Sequence, residues 1–149
     1  MPIIRTSYDP RLKVAHKSAD QIVNNSTVAV YATELGVPVR ASSTYRIEAV
    51  IRGSSNVLAD WKFSIRGPAG SSGFFTLASQ NTNIGPTTAI GSDTVGVNSI
   101  GGDEVIMLWG IMLTGAAAGE AQLWFAQSAA HASNTTIVQN SNISALLME

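Results

Sequence analysis

The chain has 149 residues, 45% of them hydrophobic and only 13% charged, with a formal net charge of −1 and no cysteine. That length holds one hydrophobic core and not two, since a domain of this size already buries roughly 70% of its unfolded surface. The missing cysteines exclude disulfides and thiolate metal sites. A charged fraction well below the usual ~25% leaves a surface of Ser, Thr, Asn, Gly and Ala, which suits a docked or self-associating protein.

Charge is unevenly placed. All nine Lys and Arg residues lie at or before Arg66, and beyond it stand only acids. Asymmetry of this kind concerns partners and assembly rather than fold. Residues 1–17 read as an extended basic N-terminal arm, with Arg5, Arg11, Lys13 and Lys17 set against Asp9, prolines at Pro2 and Pro10, and no sustained period. Residues 18–149 read as one β domain. The arm has no apolar h-region, and no stretch reaches the ~18 apolar residues of a membrane helix. The expectation is synthesis in a cytoplasm and no membrane partner.

The next stretch, DQIVNNSTVAVY, holds two overlapping glycosylation-type triplets, Asn24-Asn25-Ser26 and Asn25-Ser26-Thr27. That modification needs a secretory route, which argues against a sugar acceptor here. From Ala19 the period is two. TYRIEAVIR sets Tyr45, Ile47, Ala49 and Ile51 on one face against Arg46, Glu48 and Arg52, and DWKFSIR sets Trp61, Phe63 and Ile65 against Lys62, Ser64 and Arg66. Alternation of this kind marks half-buried strands, and GSSN between them reads as the loop of an antiparallel pair with its cations on one solvent face.

Further strands are expected at 28–33, 37–40, 73–78, 104–114, 119–128 and 141–148, with Gly, Ser, Asn and Pro at each gap. Strands spaced by such turn signals imply an all-β sandwich. The glycine-rich segment 78–104 reads as an ordered excursion with short strands near Thr87–Ile90 and Thr94–Val97. EVIMLWGIMLT breaks the rule that one face of an antiparallel strand is wet: Val105, Met107, Trp109, Ile111 and Leu113 face one way, and Ile106, Leu108 and Met112 the other. One reading is a central strand covered by the long loop 79–103; the other, carried forward as the expectation, is that Ile106, Leu108 and Met112 form a self-association surface, so that a lysine at Leu108 would break the oligomer. Gly110 marks a bulge or a close backbone approach.

No constellation for catalysis emerges. His16 and His131 stand far apart in the sequence, Asp103 and Glu104 are neighbours that point to opposite faces of a strand, and GPAGSSG lacks the Lys-Ser/Thr ending of a phosphate loop. A non-enzyme without cofactor or metal is expected. Nucleic acid is not an expected partner either, because Tyr45, Trp61 and Phe63 alternate with Arg46, Lys62 and Arg66 onto opposite faces, whereas a stacking platform needs both on one side.

Within residues 17–70, three groups stand in order: Ala19, Asp20, Gln21, Val23, Asn25, Ser26 and Thr27; then Glu34, Leu35, Val39, Thr44, Tyr45 and Glu48; then Ala59, Asp60, Lys62, Phe63, Gly67 and Pro68. In these residues the chain resembles a β-sandwich module of tailed-bacteriophage virion proteins, which include head decoration (cement) proteins and tail-fibre or minor tail modules. The resemblance implies a jelly-roll-like antiparallel β-sandwich, with NNST a turn between strands, and a structural protein of the virion with no catalytic residues. The expected function is capsid decoration on the surface of the assembled head, with the major capsid protein as partner and a homotrimer as the oligomer. The alternative is a tail-fibre or minor tail protein that binds a receptor or carbohydrate, with Trp124 as its aromatic. The basic arm is expected to anchor the domain to the capsid through Ile3, Ile4, Arg5, Tyr8, Arg11, Leu12 and Lys13.

Overall fold

The computed structural model describes residues 10–80, 87–94 and 97–148. Among them are eleven strands and no helix: β1 (Leu12–His16), β2 (Gln21–Asn24), β3 (Val30–Val39), β4 (Thr44–Ser54), β5 (Trp61–Arg66), β6 (Ser72–Ser79), β7 (Thr88–Ala89), β8 (Asp103–Leu113), β9 (Gly119–Gln127), β10 (Asn134–Ile137) and β11 (Asn142–Met148). They form a β-sandwich of two antiparallel sheets. The larger runs β1-β11-β4-β8-β6-β7, with β10 joining β2 to β4, and the smaller runs β3-β9-β5.

The chain passes back and forth between the sheets, with β3, β5 and β9 in the small one and β4, β8 and β11 in the large one. A jelly roll alternates in this way over eight strands. Here the small sheet has three strands among the described residues, and a single bridge from Val97 to Trp61 stands beside β5 where a fourth would lie.

The alternating residues of β4 and β5 do become strands, but the two do not pair. β4 lies between β8 and β11, and β5 pairs with β9. Both inward rows are wholly apolar. Side by side in one sheet they would need a further layer to cover them, whereas on opposite sheets they cover each other. The crossing is made by a tight turn in which the Asn56 carbonyl accepts the Ala59 and Asp60 amides at 2.9 and 3.0 Å. The cations therefore divide, with Arg46 and Arg52 on the outside of the large sheet and Lys62 and Arg66 on the outside of the small one.

Two other expectations change. The strands anticipated at 28–33 and 37–40 are one strand, β3, whose register shifts between Tyr31 and Gly36 around Glu34 at φ 70°. Leu12 to His16, expected in the arm, form the edge strand of the large sheet against β11, and Lys17 is only 2% exposed. Periodicity is a weak signal over five residues, and here it is the partner strand that makes the segment a strand.

The core fills the space between the sheets with Trp61, Phe63, Leu123 and Phe125 from the small one and residues such as Ile51, Phe75, Ile106 and Leu108 from the large one. Trp61 and Phe63 stack with ring centroids 5.3 Å apart. Gly110 sits where β8 is squeezed between Ile47 of β4 and Phe75 of β6. A Cβ there would overlap the Phe74 carbonyl oxygen and lie 2.6 Å from the Phe75 Cα, so the glycine marks a close backbone approach. Gly110→Ala should cost about 1–3 kcal/mol by forcing β6 away from β8, read as a lower urea midpoint. Gly102→Ala, whose Cβ meets nothing within 4 Å, should leave that midpoint unchanged.

Candidate functional site

β8 carries apolar residues on both faces, and the register of its neighbours decides which face is inside. Ile106 lies opposite Ile51 and Ser79, and Leu108 opposite Ala49 and Leu77. Ile106, Leu108 and Met112 are at most 2% exposed and belong to the core. They are not a self-association surface, and a lysine at Leu108 would attack the fold itself. The free row is the opposite one, in which Val105, Met107, Trp109 and Leu113 are 36–52% exposed.

That row lies along the middle of a broad apolar face. β6 adds Phe74, in register with Ile111, and β4 adds Val50, in register with Met107. Beyond β4, Met148 on β11 and Leu12 and Val14 on β1 extend it. The charges on this face come in couples, Arg46 with Glu48 and Arg52 with Asp103, each at 3.2 Å. Five strands at ~4.8 Å spacing and some eight residues at ~3.3 Å give a face of about 630 Å², with Arg46, Glu48, Arg52 and Asp103 included.

Polarity in the sequence points the wrong way here. The inward row holds Glu104 and Gly110, while the outward row, after Asp103, is Val, Met, Trp, Ile and Leu. Glu104 is tolerated inside because its Oε1 accepts from the Trp61 indole N–H at 2.6 Å and the Ser99 hydroxyl at 2.7 Å. Its Oε2 is buried without a hydrogen-bond partner among the described residues, so the carboxylate is held through one oxygen.

The outer face of the small sheet presents Trp124, half-buried between two neighbours. The Arg66 guanidinium lies over its ring, 4.0 Å from the centroid, and Tyr31 packs at a tilt with centroids 6.1 Å apart. Asp93 holds Arg66 at 3.2 Å. Burial and the nearby carboxylates of Glu120 and Glu34 hold the Tyr31 phenol above its usual pKa, so it stays protonated.

Several residues of the three sequence groups, with Lys17 and Ser18 beside them, fasten β2 and the preceding turn to the rest of the sandwich. Gln21 accepts from the Thr33 amide and the Lys17 ammonium with one oxygen, and donates to the Tyr31 carbonyl. Burial pushes the Lys17 ammonium down, while Glu34 and Asp20 pull it back up. Ser18 donates through its amide and its hydroxyl to Glu34 at 2.9 and 2.6 Å. Asp20 accepts the Gln139 amide, Asp60 accepts the Ser99 amide, and the Tyr45 hydroxyl accepts the Arg40 amide. The Asn25-Ser26 turn, with Asn25 at φ 48°, joins β2 to β3.

Of the expected anchoring residues, Ile3, Ile4, Arg5 and Tyr8 lie outside the described residues. Arg11 and Lys13 line a cleft of about 420 Å³ at the end of the sandwich where the described chain begins, together with Pro10, Pro38, Arg40 and Tyr45. Leu12 points away from it, onto the outer face of the large sheet. The sequence linked Arg11 and Lys13 through the arm, but Arg40 joins them only because the end of β3 lies near the start of β1.

No family model matches this chain, and no curated protein does. Among solved structures it is similar to those of infectious bursal disease virus, Gt strain and Gx strain. The identities are 10% and 11% and the TM-scores 0.22 and 0.24, over 93% of this chain. The chain spans 43% of the length of each of those chains. Likeness at that level carries no functional argument.

The Ser18–Glu34 contact has a pH signature. Hydrogen bonds from the Ser18 hydroxyl and amide hold the Glu34 carboxyl below its usual range. A depressed carboxyl contributes stability that is complete above its unfolded pKa, about 4.3, and is lost as pH falls through the lower folded value. Thermal midpoints recorded from pH 6 to pH 3 should therefore fall less steeply in Glu34→Gln than in the wild type.

Proposed function

We propose that this chain is a structural protein of a phage particle and decorates the assembled capsid. The observation that carries this reading is the division of labour among its residues. The residues that resemble the virion module are spent on framework contacts, while a broad apolar face and a cationic cleft remain on the surface. Such a surface suits a protein that works by docking. Each bound copy stabilises the assembled shell by mass action, because it binds the assembled state and not the free subunits.

The shell contact is assigned to the basic arm and the cleft at its base. Arg5, Arg11 and Lys13, with Arg40 beside them, draw this end of the molecule to an acidic surface over about a Debye length, ~8 Å at physiological salt. Ile3, Ile4 and Tyr8 supply apolar contact once it has arrived, whereas Leu12, expected to join them, faces the outside of the large sheet. The partner is the major capsid protein, and the location is the capsid surface.

A second reading, a tail-fibre or minor tail protein that binds carbohydrate, is favoured by Trp124 beside Tyr31. It is opposed by Arg66, whose guanidinium occupies the ring face on which a sugar would stack. Binding on a glycan array that disappears in Trp124→Ala would establish it.

The test of decoration is to mix the purified protein with undecorated heads. Regular added density in electron microscopy is the expected result, and bare heads would remove the proposal. Arg5, Arg11 and Lys13 changed together to Ser should slow association about tenfold with little effect on release, as expected of charges that steer encounter. Deleting residues 1–9 keeps β1 in the sheet and should weaken head binding. If that truncation binds as tightly as the full chain, the arm is no anchor.

A further inference from the structure

We propose that the outer face of the large sheet is where two copies of this chain meet, face to face across a two-fold axis. This does not rest on the decoration reading, because it concerns the free protein. Two such faces in contact bury about 1,300 Å², within the ~1,200–2,000 Å² of stable protein interfaces. The composition fits in part. Interface centres are rich in aromatic residues and Met, and here Trp109 and Met107 lie mid-face with Phe74 on one neighbouring strand, while Glu48, opposite Trp109 on the other, is coupled to Arg46.

The electrostatics favour a second copy over a charged partner. The couples Arg46–Glu48 and Arg52–Asp103 leave this part of the face without net charge. Two identical faces therefore approach without net repulsion, while a strongly acidic or basic partner would find nothing to complement. The symmetry follows from using one patch. A single self-complementary surface closes as an isologous pair, whereas a three-fold ring requires two different patches on each copy. This makes the pair, rather than the trimer expected from the family resemblance, the unit in solution. Sheets stacked in this way pack about 10 Å apart with their side chains interleaved.

Sedimentation equilibrium of the full chain at micromolar concentration reads the outcome directly. The expected mass is twice the 15.6 kDa of one chain. Met107→Glu and Trp109→Glu should each raise the dissociation constant of the pair about a hundredfold or more, since an unpaired charge would be buried at its centre. Both side chains point outward, so circular dichroism and the melting temperature under monomeric conditions should match those of the wild type. Leu58→Glu, in the loop between β4 and β5 and 68% exposed, should leave the mass unchanged. A wild-type monomer overturns the proposal, as does a trimer, or a dimer that both glutamate variants preserve. If the monomer binds heads and Met107→Glu abolishes that binding, the face belongs to the shell contact instead.

Discussion

The antiparallel pairing of β4 with β8 governs the rest of the molecule. It runs from Thr44 opposite Leu113 to Ser54 opposite Asp103 without a shift, and it joins strands separated by the whole of β5, β6 and β7. Side chains alternate strictly along paired strands. Once Tyr45, Ile47, Ala49 and Ile51 turn inward, Ile106, Leu108 and Met112 must accompany them, and Met107 and Trp109 must face out. A slip of one residue would exchange the core of the sandwich for its outer face. That slip is opposed by Trp61, whose indole N–H meets Glu104 only in the observed register.

Buried polar groups act as register pins on both sides of the sandwich. Glu104 ties the start of β8 to β5 and to Ser99, and Lys17 with Gln21 ties the β1–β2 turn to β3 at its irregular stretch. Leaving one of these partners alone costs far more than the pair gains over water. They therefore discriminate strongly against other arrangements while adding modestly to stability. Such pins suit a fold in which several strands alternate too weakly to specify their own pairing.

A sandwich held in this way is free to vary its surface, and the surface is where its function lies. One end gathers Arg11, Lys13 and Arg40, the outside of the large sheet is apolar with its charges coupled, and the outside of the small sheet is closed over by Arg66 and Tyr31 on Trp124. The three regions carry different chemistry and do not overlap. Regions so separated can meet different partners, whereas one patch cannot serve two at once.

Much of this was legible in the amino-acid order. Alternation in TYRIEAVIR and DWKFSIR determined two strands and their inward residues, the turn residues determined an all-β chain, and EVIMLWGIMLT showed that one strand had two apolar faces. Whether β4 and β5 pair or oppose each other was not legible, because identical alternation serves both arrangements and only the covering of each apolar row by the other selects one. β1 was hidden for a related reason: a five-residue edge strand is made by its partner, β11, and not by its own period. The exposed apolar row was missed because a row containing Glu104 and Gly110 looks more exposed than a run of Val, Met, Trp, Ile and Leu. The tertiary structure reversed that order by giving the glutamate an indole and a serine, and by giving the glycine a neighbouring backbone too close for any side chain.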